Sequence, residues 1–180
     1  MSPLRHVPRR ASADSSGSSV QNPAAPDSPG ELKARALRAL ARREHTRAEL
    51  TRKLAPHAAS AEALDALLDT LVAKHQLSDA RYAEVRARVL TRKFGALRVR
   101  QDLRARGVGA DLVEREAEQA AGGELAHARA IVRRRFPKPV TTREERSRRI
   151  RFLQGRGFSY DTIRAALGAF DDEAGDEDNT

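Results

Sequence analysis

The sequence predicts an all-α protein, an elongated array of three-helix repeats flanked by two disordered tails. Four observations lead to this prediction. Ala, Leu, Arg and Glu dominate the middle of the chain, apolar residues recur there at spacings of three and four, and no segment shows the alternation of a β-strand. Sharp corners between helices also recur along the chain, which is typical of a repeat protein.

The two tails are distinguished by composition. Residues 1–30 are rich in Ser, Pro, Ala and Gly and have no apolar periodicity, so we predict that they are disordered. Residues 171–180, DDEAGDEDNT, hold six acidic and no basic side chains. Two interpretations of this acidic tail stay open: it competes within the molecule for a basic surface, or it only improves solubility.

The first repeat is assigned to residues 31–76. Its first helix is predicted to begin near Glu31. Thr46 and Glu49 then have the T-x-x-E spacing of a capping box, which begins a second helix that Pro56 ends. Ser60 caps a third helix with the clearest apolar stripe of the chain, formed by Leu64, Leu67, Leu68, Leu71 and Val72.

The second and third repeats are assigned to residues 77–121 and 122–170. In the second, Ser78 and Asp79 begin a helix that ends at Gly95, and two further helices follow on either side of Gly107. The third repeat begins with a helix over 124–136, stopped by Pro137 and Pro139. A second predicted capping box, Thr142 with Glu145, begins a long basic helix, and Ser159 begins the last one.

Three corners have similar surroundings and suggest a register for the repeats. Thr46, Gly95 and Ser159 each follow a bulky ring and precede apolar residues four and eight positions later. The intervals between them are 49 and 64 residues. The longer interval is predicted to contain one extra helix, supplied by residues 124–136.

The charge of the chain predicts an anionic partner. The net charge is +9, and residues 31–170 hold 31 basic against 17 acidic side chains, a surplus of +14. Such a surplus attracts phosphate groups or an acidic protein. The alternative is a solvated, Arg-rich helix surface. Arginines that neighbour Tyr82, Phe94, Phe136 and Phe158 either stack with bases of a single strand or lie beside rings that pack in the core.

Several function classes are excluded on residue types. The chain has no cysteine, which excludes disulfides, thiol nucleophiles and cysteine-based metal sites. Its five histidines show no metal-ligand spacing, and no catalytic motif stands out, so we expect no metal, no cofactor and no enzymatic activity. No apolar run reaches the roughly 18 residues of a membrane span, and no secretory signal is present, so we expect a cytoplasmic protein.

Four segments resemble the RecX regulators. REHTRAEL at 43–50 resembles their R-E-H-S/T-R-x-E-L corner, and LSDARYA at 77–83 resembles their L-x-D-x-R-F/Y-A segment. Gly95 to Val108 resembles their middle repeat, and RGF at 156–158 resembles their closing corner. The resemblance covers residues 34 to 168. Gly155 departs from it where the family often has a basic residue, and both tails look like additions.

The resemblance implies a protein that binds the filament of the RecA recombinase on DNA and modulates it. The expected effect is inhibition of ATP hydrolysis, strand exchange and co-protease activity, by a monomer that has no membrane contact. Direct contact with DNA stays open, and the alternative function is a basic helical protein that binds single- or double-stranded DNA by itself. Seven candidate contact residues follow: Arg43, Arg47, Arg81, Arg98, Arg106, Arg149 and Arg156. The alternative role for these arginines is to hold helices together through Glu44, Glu49 and Asp79.

Overall fold

A computed structural model describes residues 25–168, and within this range it contains nine α-helices and no strand. The helices form three successive groups of three, called units 1, 2 and 3. Unit 1 (25–77) contains α1 (Pro29–Arg42), α2 (Arg47–Leu54) and α3 (Ala61–Ala73). Unit 2 (78–122) contains α4 (Asp79–Leu90), α5 (Ala96–Ala105) and α6 (Ala110–Gly122). Unit 3 (123–168) contains α7 (Glu124–Arg135), α8 (Arg143–Gln154) and α9 (Tyr160–Leu167). The predicted all-α array of three-helix repeats is confirmed.

Each unit has its own apolar core. Leu50, Leu54 and Leu68 are completely buried in unit 1, within a cluster that draws only on residues 32–77. The corresponding clusters draw on residues 82–120 in unit 2 and 128–167 in unit 3. Burying one such side chain contributes about 1.5–3 kcal/mol. The units are therefore folded around separate cores and meet through their surfaces.

The beginnings of the helices follow the caps read from the sequence, with two corrections. Thr46 and Thr142 each accept the predicted N–H three residues later, from Glu49 and Glu145. Neither glutamate completes a capping box, because the Glu145 carboxylate accepts from the N–H of Thr141 and the Glu49 carboxylate binds arginines. A reciprocal capping box occurs instead between Ser28 and Glu31.

The prediction that residues 1–30 are disordered is wrong for the last residues of this segment. Helix α1 begins at Pro29, Ser28 caps it, and the Asp27 carboxylate forms an ion pair with Arg35 at 2.7 Å. The sequence Ser28-Pro29-Gly30-Glu31 combines a capping box with proline in the first turn, both of which begin helices. The rest of this tail and the whole acidic tail 171–180 lie outside the described residues.

The predicted register of the corners is wrong for unit 3. Thr46 and Gly95 precede the second helix of their units, whereas Ser159 precedes the third. The equivalent position in unit 3 is Thr142, and α7 is the first helix of that unit and not an extra one. The sequence pattern did not reveal this corner, because residues 136–142 form a long connection with two prolines and lack the abrupt turn of the other two corners.

Candidate partner-binding surface

Units 1 and 2 meet where the start of α2 lies on the turn between α5 and α6. The Thr46 hydroxyl, completely buried, donates to the carbonyl of Arg106 at 2.8 Å. The N–H of Arg47 donates to the Asp79 carboxylate at 2.8 Å. Gly107 has a φ of +76°, and a Cβ there would lie 2.5 Å from the Cβ of Ala48. Only glycine accommodates both the backbone conformation and the close approach.

Units 2 and 3 meet in the same way, one unit further along. The start of α5 lies on the turn between α8 and α9: Gly95 N–H donates to Arg156 O at 2.9 Å, and Leu97 N–H donates to Gly157 O at 3.1 Å. Gly157 also has a φ of +76°, and its Cβ would lie 2.6 Å from the backbone nitrogen of Arg98. The dipeptide Arg-Gly at 106–107 and at 156–157 therefore has the same role in both joints: the arginine carbonyl accepts a hydrogen bond from the neighbouring unit, and the glycine allows the close approach.

Glu124 completes the second joint. Its carboxylate is buried and accepts from the N–H of Ala96 at 2.7 Å and from the Thr162 hydroxyl at 2.7 Å. Gly95 has no side chain to cap α5, so a carboxylate from the next unit provides the cap and complements the positive end of the helix dipole. No local sequence pattern indicates Glu124, because its partners lie 28 and 38 residues away along the chain.

Two of the seven candidate arginines lie in an ion-pair network at the first joint. Arg106 donates to the carboxylates of Glu49 and Asp102, each at 2.9 Å, and Arg43 donates to Glu49 at 2.8 Å. Hydrogen bonds from Arg86, and then from Arg106, hold the pKa of Asp102 below its usual value although burial opposes them. Burial by itself raises the pKa of Glu49, but the bonds from Arg43 and Arg106 outweigh it and lower that pKa.

Arg47 and Arg81 also bind carboxylates of the chain. Arg81 forms a two-pronged ion pair with Glu44, across the joint of units 1 and 2. Arg47 binds Asp69 at 2.6 Å and Asp65 at 3.2 Å, both on α3. Hydrogen bonds donated to the carboxylates of Asp69 and Glu44 raise the pKa values of Arg47 and Arg81 respectively. The acidic partners anticipated at Glu44 and Glu49 are thus present, whereas Asp79 binds the backbone of Arg47.

The last three candidates, Arg98, Arg149 and Arg156, bind no carboxylate within residues 25–168. Arg98 is exposed, with its guanidinium 5.9 Å from the centre of the Phe94 ring. Arg149 is buried, donates to the carbonyl of Lys138 at 2.6 Å and lies over Phe136. The Arg156 guanidinium lies 4.3 Å from the centre of the Phe152 ring. Such contacts stabilise by about 0.5–2 kcal/mol.

The rings beside the arginines mostly pack inside the units. Tyr82 and Phe158 are buried, at 5% and 2% exposure. Phe94 and Phe136 are half-buried against the cores of units 2 and 3. Of these four rings none is freely exposed for stacking with bases. Tyr160, which sequence analysis did not select, is 65% exposed.

The cationic surplus is concentrated in unit 3. Residues 123–168 hold twelve Arg and Lys against four Asp and Glu, whereas unit 1 holds nine against seven and unit 2 ten against seven. Within unit 3, Arg164 and Asp161 form an ion pair at 3.7 Å. Exposed cations without a carboxylate partner there include Arg133, Arg134, Arg135, Arg143, Arg148 and Arg151. Counting charge separately for each repeat would have found this surface from the sequence.

Neither a metal site nor a membrane span is found in the described part of the chain. Nowhere between residues 25 and 168 do three or more potential ligand side chains come together. His45 is a buried corner residue, with its Nδ1 2.9 Å from the carbonyl oxygen of Arg43. No helix in the same range has the length and apolar character needed to cross a bilayer.

The chain matches three family domains in order along its length. They are described as the first, second and third three-helix domains of RecX, and they cover residues 33–71, 78–115 and 123–167. Each match falls within one structural unit. The third match begins at the start of α7, in agreement with the corrected register.

Relatives and solved structures agree with these matches. The chain is 45% identical over 149 residues to the regulatory protein RecX of Leptothrix cholodnii, covering 83% of this chain and 94% of the relative. It is also 45% identical to the regulatory protein RecX of Chromobacterium violaceum, covering 79% and 93%. A crystal structure of RecX from Lactobacillus salivarius has the same fold, with a TM-score of 0.65 at 19% identity, over 77% of this chain and 94% of that one. The chain therefore belongs to the RecX family of regulatory proteins.

Proposed function

We propose that the chain binds the RecA–DNA filament and inhibits its ATP hydrolysis, strand exchange and co-protease activities, with no chemistry of its own. One observation carries the proposal beyond family membership. Three units with separate cores are joined in a row by repeated hydrogen-bonded contacts, centred on Thr46 with Arg106 and on Gly95 with Arg156. A row of this kind suits a partner whose binding surface repeats.

A filament offers such a surface, because each RecA subunit presents the same groove. Linked units that touch neighbouring subunits gain affinity by avidity, since the first contact raises the local concentration of the next unit. Holding several subunits together would hinder the movements that accompany nucleotide turnover. Inhibition then needs binding alone.

The ion pairs of Arg43, Arg47, Arg81 and Arg106 stabilise the chain itself and leave these side chains less available to a partner. Their carboxylate partners are already within the chain, at 2.6 to 2.9 Å for Arg43, Arg47 and Arg106. Among the seven candidates, Arg98 is the exposed residue without a carboxylate. We therefore assign the main contact with the filament to Arg98 together with the exposed cations of unit 3.

A double charge reversal tests this assignment. Arg148→Glu with Arg151→Glu alters two exposed residues of α8 that form no ion pair within residues 25–168. Arg52→Glu with Lys53→Glu makes the same change of net charge on α2 and is the matched control. We expect the α8 variant to lose inhibition of RecA-dependent ATP hydrolysis while the α2 variant keeps most of it. Equal losses would mean that only the overall charge matters.

Direct binding to DNA is the second candidate, and the carboxylate-poor surface of unit 3 favours it. Phosphate contacts make affinity fall linearly with the logarithm of salt concentration, with a slope of about −0.7 per contact on single strands. The two candidates are separated by measuring the same variants on bare single-stranded DNA and on RecA-coated DNA. A proportional loss on both, with matching salt slopes, would favour direct DNA binding and contradict the filament proposal.

A further inference from the structure

A cleft opens between α8 and α9, where the described chain ends. It has a volume of about 850 Å³. Ile150, Ile163 and Leu167 provide apolar lining, and Arg143, Arg146 and Arg164 add three guanidinium groups. Apolar and cationic groups around one cleft suit a ligand with both a hydrophobic group and carboxylates or phosphates.

The chain leaves unit 3 at this cleft. Gly168 lines it and has a φ of +76°, and Arg146 donates to the carbonyl of Gly168 at 3.0 Å. A Cβ at Gly168 would meet no atom within 4 Å, so the glycine is needed for backbone conformation and not for space. The C-terminal segment that follows residue 168 therefore begins beside the cleft.

The segment that follows Gly168 has side chains that complement the lining of the cleft. Phe170 comes two residues after Gly168, and Asp171, Asp172 and Glu173 follow it directly. Five residues reach at most roughly 17 Å. An aromatic ring for the apolar lining and three carboxylates for the arginines are thus available within a short distance of the cleft.

We propose that residues 169–173 dock in the α8–α9 cleft of the same molecule, with Phe170 on the apolar lining and the acidic run against the arginines. The tail is attached at the cleft, so its effective concentration is on the order of millimolar. A contact too weak to detect with a free peptide is therefore populated within the chain. Salt weakens the ionic part, because the screening length at physiological ionic strength is about 8 Å.

Docking gives the acidic tail a regulatory effect on unit 3. The tail neutralises part of the surface with the largest cationic surplus, so an anionic partner must displace it. This consequence depends on the proposed function, whereas the docking itself does not. The two are therefore tested by separate measurements.

Paramagnetic labelling tests docking without any partner. The chain has no cysteine, so Asp172→Cys can carry a single spin label. We expect strong broadening of the amide signals of Ile150 and Ile163, which becomes clearly weaker when Phe170→Ala is added. A label at Lys74→Cys in unit 1 is the control. Broadening of these signals by the Asp172→Cys label that Phe170→Ala leaves unchanged would overturn the proposal. Equally strong broadening of unlabelled, isotope-enriched chains mixed with spin-labelled chains would also overturn it, since a second copy would then be the occupant.

Binding to an oligothymidine separates docking from general charge. Phe170→Ala keeps the net charge, whereas Asp171→Asn with Asp172→Asn removes two carboxylates. If the tail masks unit 3, opening it raises the competent fraction, and Phe170→Ala should tighten binding by roughly two- to fivefold. Tighter binding in the Asn variant alone, with Phe170→Ala unchanged, would reduce the tail to a general charge effect and contradict docking.

Discussion

At the scale of single residues, Thr46 shows what local sequence reveals and what it does not. The T-x-x-E spacing correctly predicted that its hydroxyl caps α2. The same hydroxyl also donates to Arg106, 60 residues further on, and no local pattern encodes that contact. Thr46 is completely buried, which is unusual for a helix cap. One side chain thus begins a helix and joins two units.

Thr46→Val should therefore cost more than the loss of an ordinary cap. The change keeps the shape of the side chain but leaves the N–H of Glu49 and the carbonyl of Arg106 without this partner. Each unsatisfied buried group costs about 1–3 kcal/mol, so we expect a loss of about 2–4 kcal/mol in the free energy of unfolding, measured in urea. Ser60→Ala removes the exposed cap of α3 and should cost about 1 kcal/mol. Equal losses would argue against a role of Thr46 in the joint.

Gly157 and Gly168 provide a second matched pair. Both have a φ of +76°, but a Cβ at Gly157 would lie 2.6 Å from a backbone atom of Arg98, whereas a Cβ at Gly168 meets nothing within 4 Å. The left-handed conformation alone costs about 1–2 kcal/mol for alanine. Thermal unfolding should show that much loss for Gly168→Ala and a clearly larger one for Gly157→Ala. Similar losses for both would mean that the second joint adapts to a side chain.

At the scale of elements, helix types and caps could be predicted, while the joints between units could not. Periodicity and caps give each helix from residues close in sequence. The Arg-Gly turns at 106–107 and 156–157 were noticed as motifs, but their docking on α2 and α5 depends on which surfaces meet after folding. The abrupt corners misled the register for the same reason: Ser159 looks like Thr46 locally, although it begins a different helix of its unit.

The ion pairs of the first joint predict a dependence of stability on acid. The pKa of Asp102 is lowered in the folded protein, chiefly by hydrogen bonds from Arg86, so its stabilising contribution is present above the unfolded value. It is lost as the pH falls from the ordinary value of 3.8 through the lowered folded value. We expect Asp102→Asn to flatten the fall in unfolding free energy between pH 5 and pH 2, as measured by urea titration at each pH.

The control for this prediction is Glu118→Gln, which alters an exposed carboxylate of α6 that forms no ion pair with any described residue. Its stability should follow the wild-type dependence on pH. If Asp102→Asn also kept the wild-type dependence on pH, the ion pairs of Arg86, Asp102 and Arg106 would contribute little to the free energy of unfolding.

At the scale of the whole molecule, the sequence predicted the array and its cationic character but not where the cations are available. Arginines chosen from motifs form ion pairs within the chain in four of seven cases: Arg81 and Arg106 bind carboxylates across the first joint, and Arg43 and Arg47 bind carboxylates of unit 1. The motifs that single them out lie at the corners where units meet. The exposed cations of unit 3 lie outside those corners. Charge thus varies along the row. Ion pairs involve three of the six arginines of unit 1 and seven of the nine of unit 2, whereas unit 3 has the fewest carboxylates for the most cations.

This uneven distribution allows avidity and charge attraction to be separated by removing unit 1. The deleted unit holds nine basic and seven acidic residues within 25–77, so a chain of residues 78–180 keeps the cationic surface of unit 3. Its two remaining cores should preserve helicity, which circular dichroism checks. Charge attraction predicts nearly unchanged binding to bare single-stranded DNA, with an unchanged salt slope. Avidity predicts a loss of affinity of about a hundredfold or more on the RecA-coated strand, because one linked contact is gone.

A chain that lacks only residues 1–24 is the control and should bind both ligands as the full chain does. If residues 78–180 bound the filament as tightly as the full chain, bridging by the three-unit row would be ruled out as the source of affinity.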